Sequence, residues 1–207
     1  MKKRTIPAGI TAAMMLVSLV GTMPVFAEAE ELVNDTFEDS FGTWKARTSG
    51  STELALSDVY AHSGEKSLSV TGRTVNWNGA GASMIGTMYA GQQYTLSVAV
   101  LYDDETVGGQ NQQFNLQCLY TDKDGKENYK YISSTNARCG EWSVINGTYT
   151  VPEDASNIVV YVEANTLSDF YMDDFIVSGE RIEDAGNEDG FSDDFEDGTK
   201  MQWQGSG

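Results

Sequence analysis

Between residues 94 and 102 the chain alternates with a period of two. Tyr94, Leu96, Val98 and Val100 fall on one side, Thr95, Ser97 and Ala99 on the other. This is the signature of an extended strand with one buried face, because successive side chains point to opposite sides. Residues 114–120 alternate in the same way. Residues 121–125, "TDKDG", read as a turn, and residues 128–133 as the strand that returns. Residues 147–151, 158–162 and 170–177 add three more runs; residues 54–57 and 66–71 add two earlier ones. No stretch carries a convincing helical period. Strands this short and this numerous bury their apolar faces only against one another, so the expected fold is all-β, an antiparallel β-sandwich. The 21 glycines against 3 prolines suit the many turns such a fold requires.

The two ends read differently. Lys2, Lys3 and Arg4 precede an apolar run over residues 6–20, and "MPVFA" closes it at Ala27. That is the layout of a secretory signal peptide, expected over residues 1–27, with a secreted, extracellular product starting at Glu28. No later run is apolar enough to span a bilayer, so no membrane partner is expected after cleavage. Residues 180–191 are acidic and poor in large apolar residues, and are read as a linker. Residues 192–207 then repeat the start of the folded part: Asp35, Phe37, Glu38 and Asp39 recur as Asp193, Phe195, Glu196 and Asp197, each set followed by a Trp. The expectation is the truncated start of a second module in a longer, multidomain protein.

Charge narrows the partners. The chain has 13 basic and 31 acidic residues, a net −18; without three basic residues of the signal segment it is 10 − 31 = −21. Such a surface repels phosphate, so nucleic acid is excluded as a partner and a neutral one is favoured. Cys118 and Cys139 are the only cysteines. In an exported protein they either bridge or stay free, and the hairpin just described does not set them opposite each other.

Residues 71–79, "TGRTVNWNG", hold a Trp among glycines and polar residues, with no apolar alternation to draw it inward. Together with "FED" and Trp44 near the start, "AHSGEKSLSV" before it, "GTYTVPEDA" at residues 147–155, and "VYVEA" and "DFYMDDFIVSG" over residues 160–179, this order of blocks resembles the family 22 carbohydrate-binding modules that accompany bacterial xylanases. The resemblance covers nearly all of residues 32–179, within a module expected over residues 28–179. It implies a jelly-roll sandwich whose open sheet face takes a xylan chain or related β-glycan. Matched block by block, it implies Trp77 as the main sugar platform, Tyr129 as a second ring, Tyr161 and Glu163 as cleft neighbours, and Arg47 as a donor near the sugar. It also implies a monomeric module that carries no catalytic residue and tethers a glycoside hydrolase, a xylanase, to its substrate.

These residue types suit that task. A flat ring matches the C–H face of a pyranose; burying 50–100 Å² at about 25 cal/mol per Å² returns about 1–2.5 kcal/mol per platform. Sugar hydroxyls then need partners, which a carboxylate such as Glu163 and a guanidinium such as Arg47 supply. Tyr161 and Glu163 lie two apart on one strand and so share a face, with Val160 and Val162 turned to the core. Glu38, near the first strand, and Asp173 and Asp174, on the last, come from opposite ends of the folded part. With carbonyls from the turn at residues 62–66 they suit Ca²⁺, a hard ion that the resemblance also implies. His62, the one histidine, is expected to pack in that turn, and "DKDG" to make a hairpin turn rather than a calcium loop. Two other functions are weighed against binding: a glycoside hydrolase acting through paired carboxylates, and a spacer that binds nothing.

Overall fold

A computed structural model describes residues 29–47 and 51–182. The signal segment, residues 183–191 of the expected linker and the partial second module lie outside the described residues. Among the described residues eleven strands are formed: β1 (Glu30–Asp35), β2 (Trp44–Arg47), β3 (Glu53–Ser57), β4 (Ser67–Thr71), β5 (Gly79–Ser83), β6 (Gln93–Leu101), β7 (Asn111–Thr121), β8 (Glu127–Arg138), β9 (Ser143–Thr150), β10 (Ser156–Ala164) and β11 (Phe170–Gly179). One helical turn, α1 (Glu105–Gly108), is capped by the Asp104 side chain, which accepts from the Thr106 N–H.

Two antiparallel sheets face each other. One runs β3-β4-β11-β6-β9, with β1 also paired to β11; the other runs β2-β5-β10-β7-β8. From β4 to β7 the chain changes sheet at every step, the jelly-roll habit, so the expected sandwich is what forms. The alternation read in the sequence supplies the core. Tyr94, Leu96, Val98 and Val100 from β6 meet Phe114, Leu116 and Cys118 from β7 and Val160 and Val162 from β10, all buried. Trp44 is buried as well: its ring packs edge-on against Phe37 and Phe175, and its indole N–H donates to Asp35 at 2.7 Å. An indole goes inside only where its polar edge finds an acceptor, and Asp35 on β1 provides it.

Strand β11 is shared along one edge. Phe170–Met172 pair with β4, and Phe175–Gly179 pair with β1. Between them the strand bulges against β6, and Asp174 takes the left-handed conformation (φ 46°). Glu30 pairs with Gly179, so the first and last strands run side by side, and Arg181 donates to Glu30 at 2.7 Å.

Cys118 is buried and Cys139 partly buried, and both are free thiols. Of the two states left open by the sequence, the unbridged one is found. Cys118 pairs with Lys130 across the β7–β8 ladder, while Cys139 lies just past the end of β8.

Candidate carbohydrate-binding site

The five-stranded sheet has one face in the core and one open. On the open face the register sets residues in rows across the strands. Arg47, Gly79, Glu163, Asn115 and Ser134 make one row. Lys45, Gly81, Tyr161, Gln117 and Tyr131 make the next. Val159, Leu119 and Tyr129 follow in the third.

Strand β5, "GAGAS", turns Ala80 and Ala82 inward and leaves Gly79 and Gly81 on the open face. The missing side chains make a trough between β2 and β10. A Cβ on Gly81 would lie 3.3 Å from both the Tyr161 Cβ and a Val159 methyl, and one on Gly79 would collide with the Val162 carbonyl. Beside the trough lies a depression of about 310 Å³, walled by Lys45, Arg47, Ser83, Leu119 and Val159.

Trp77 stands at the head of this face, 43% exposed, on the loop between β4 and β5. That loop is built by two buried residues. The Asn78 side-chain oxygen accepts from the N–H groups of Thr74 and Val75, closing the turn beneath the indole. Arg73 fans its guanidinium into five carbonyls, those of Asn76, Asn78, Ala164, Thr166 and Ser168. It thereby fastens the Trp77 loop to the loop after β10. Burial pulls the Arg73 pKa down to about 10, while Glu163 and Asp169 oppose the shift.

The guanidinium of Arg47 crosses the trough. It donates to Glu163 Oε2 at 3.3 Å and to the Trp77 carbonyl at 3.1 Å, and lies 3.7 Å above the centre of the Tyr161 ring. Gln117 completes the cluster: its amide donates to Glu163 Oε1, and its carbonyl accepts from the Tyr161 hydroxyl at 3.3 Å. Burial raises the Glu163 pKa, against the opposing pull of Arg47, the Gln117 hydrogen bond and Arg73. Burial pushes Tyr161 up to about 12, with Arg47 pulling the other way.

Four of the five expected sugar-facing residues thus gather around one guanidinium, since Tyr129 also lies beneath Arg47, at 5.6 Å. Trp77 joins the group through its carbonyl. Tyr161 points to the open face beside Glu163, and the residue is only 2% exposed, with the Arg47 guanidinium lying over its ring. It is a floor under a cation. Tyr129 (54%) and Tyr131 (61%) are the exposed rings on β8. Gln117, Arg73 and Tyr131 were not among the expected site residues. The alternation of residues 114–120 does place Gln117 on the polar side; nothing in the sequence marks Arg73 as buried.

The acidic corner lies elsewhere, at the gap where β11 passes from β4 to β1. Glu38 accepts from the N–H groups of Glu65 and Lys66. Asp173, fully buried, accepts from those of His62 and Ser63 and from Asp174. Asp174 meets the His62 ring at 2.6 Å and the Ser63 hydroxyl at 2.6 Å. His62 does sit in this turn, its ring edge-on to Trp142. Among the described residues no three acidic, His or Cys side chains cluster closely enough to mark a metal centre by themselves. A wider depression of about 420 Å³ adjoins this corner, but Ser97, Ala99, Val144 and Ile176 form much of its wall, with no phenol or indole to receive a sugar face.

The sequence pattern described as "Carbohydrate binding domain" (CBM_4_9) matches residues 29–169. The chain belongs to this carbohydrate-binding family. The module is similar to the C-terminal family 22 carbohydrate-binding module of Clostridium thermocellum Xyn10B, with 32% identity and a TM-score of 0.67 over 72% of this chain and 94% of that one. It is also similar to the CBM22-1–GH10 modules of the endo-1,4-β-D-xylanase 10B from the same organism, complexed with xylohexaose (26% identity, TM-score 0.67, 72% and 28% covered). Among curated proteins, a xylanase/β-glucanase of Ruminococcus flavefaciens is 38% identical over 144 residues, which are 68% of this chain and 17% of that protein. Endo-1,4-β-xylanase A of Thermoanaerobacterium saccharolyticum is 38% identical over 152 residues, 72% and 13% respectively. The chain therefore spans under a fifth of these relatives. What it shares with them is a non-catalytic carbohydrate-binding module of the family 22 type, with two antiparallel sheets.

Proposed function

We propose that the module binds xylan-type plant polysaccharide across the open face of the five-stranded sheet and holds an appended glycoside hydrolase, a xylanase, to that substrate. The observation that carries this reading is Trp77: a large ring left exposed on a loop that Arg73 and Asn78 hold rigid, next to an acceptor, Glu163, fixed by Arg47 and Gln117. Other apolar side chains are exposed as well, but among the described residues only Trp77 couples a broad flat ring to a braced loop beside a fixed acceptor. A rigid platform loses little freedom on binding. With a few such contacts, the expected Kd is roughly micromolar to millimolar, and tethering raises the local concentration of catalyst.

Native gels containing soluble xylan test this. The chain should be retarded, Trp77→Ala should not, and no reducing sugar should be released. Sugar release by the pure chain would favour a hydrolase. Free migration in every plant polysaccharide would favour a spacer.

The same reading extends to the segments at either side. Residues 1–27 direct export, and the product acts outside the cell; sequencing the amino terminus of the secreted protein should give Glu28. The acidic corner takes Ca²⁺. Glu38 and Asp173, with Asp174 beside them, grip successive groups of one turn, and the hydrogen-bond partners of the buried Asp173 carboxylate are N–H groups that leave its charge uncompensated. A divalent ion held there by Glu38, Asp173, Asp174 and turn carbonyls would balance that charge and pin β1 to β11.

A further inference from the structure

Past Glu163 the open face carries no ring until Tyr131 on the outermost strand. It carries amides instead. Asn115 Nδ2 donates to Asn165 Oδ1 at 3.0 Å, Asn165 Nδ2 donates to Gln113 Oε1 at 2.8 Å, and Gln113 Nε2 donates to Ser134 Oγ at 3.0 Å. The Tyr131 hydroxyl closes the series on the same Ser134, at 2.9 Å. The donors thus run in one direction through three side chains, two on β7 and one just past β10, with Asn165 exposed and Gln113 and Asn115 half-buried.

Ordering three long polar side chains beside water costs conformational entropy and gains little stability, since water would satisfy them equally well. What the order does gain is a fixed edge. Among the described residues each of the three amides spends one N–H in the series and keeps the other, and no donor reaches the Asn115 side-chain carbonyl. The edge therefore offers donors and acceptors side by side, the pattern that neighbouring sugar hydroxyls need, because each both gives and accepts.

Register puts this edge in line with the platform. Asn115 lies in the row of Arg47, Gly79 and Glu163, which Trp77 heads. From β5 to β8 is three strand steps, about 14 Å, longer than one pyranose ring. A glycan that stacks on Trp77 and crosses Glu163 meets the amides next.

We propose that Gln113, Asn115 and Asn165, backed by Ser134, form a separate polar subsite for the hydroxyl groups of an uncharged sugar. It is a subsite without a stacking face, so it takes a sugar edge-on. Its side chains are neutral, and the acidic protein around it disfavours a uronic acid there. The sugar comes either from the next unit of the glycan backbone or from a neutral pentose branch. The inference rests on the proposed xylan binding at Trp77.

Calorimetry on the full chain with xylotriose, linear xylohexaose and a neutral arabinoxylan oligosaccharide tests it, using wild type, Asn165→Ala, Asn115→Leu and Trp77→Ala. Asn165 is exposed, so its variant should melt with wild type. Both amide variants should lose roughly three- to ten-fold in affinity for a longer ligand while xylotriose is spared. A loss on xylohexaose identifies the backbone as the source, and a loss confined to arabinoxylan identifies the branch. Unchanged affinity for all three ligands, with Trp77→Ala still abolishing binding, overturns the subsite alone. No binding by wild type overturns the xylan reading and the subsite with it.

Discussion

Two aromatic residues on neighbouring strands and loops of the same cleft have opposite energetic roles. Trp77 is exposed and held by its loop; Tyr161 is covered and holds up Arg47. Trp77→Ala should remove a platform of about 1–2.5 kcal/mol, and so most binding, with little change in Tm. Tyr161→Ala should remove a buried ring and cost about 3–5 kcal/mol of stability, while Tyr161→Phe, which loses one long hydrogen bond to Gln117, should stay within about 1 kcal/mol of wild type. Thermal melting beside gel retardation separates the two residues. Glu163 adds a pH dependence. Its ionised form is the acceptor, and burial raises its pKa above the ordinary 4.5. Binding is therefore complete above that raised value and is lost as pH falls through it, earlier on acidification than for an exposed glutamate. Affinity measured from about pH 7 to about pH 4 should show this loss, and Glu163→Gln should flatten it.

At the scale of elements, the decisive piece is the pair of loops that Arg73 joins. Only a guanidinium has enough donors in a plane to meet five carbonyls; an ammonium has three. Arg73→Lys should cost about 2–4 kcal/mol and, because the Trp77 loop loses its anchor, should weaken xylan binding although Arg73 is buried away from the cleft. Melting temperature and affinity should fall together. This clamp was not legible in the sequence. Its acceptors are backbone carbonyls three and five positions on and 91 to 95 positions on, and carbonyls carry no residue identity. Strand β5 was missed for a related reason: Ala80 and Ala82 fill the core side, but alanines between glycines give no hydrophobic period. Strand β6 was legible because every second residue is large and apolar. The burial of Tyr161 was hidden too, since its cover arrives from Arg47 on a strand far earlier in the chain.

For the whole molecule, the sandwich followed from periodicity alone, and the site's surface from resemblance plus register. What neither fixed is how the sheet of β1, β4 and β11 is closed at the acidic corner, where carboxylates meet backbone N–H groups. If Ca²⁺ balances that corner, chelation should lower Tm by several degrees and added Ca²⁺ should restore it; a Tm indifferent to both would remove the ion. The adjacency of β1 and β11 also decides how the module joins its surroundings. Glu30 and Gly179 are Cα partners, about 5 Å apart in an antiparallel pair. Both ends of the sandwich therefore sit at a single pole, so a peptide fused ahead of Glu30 and one fused after Gly179 would start side by side.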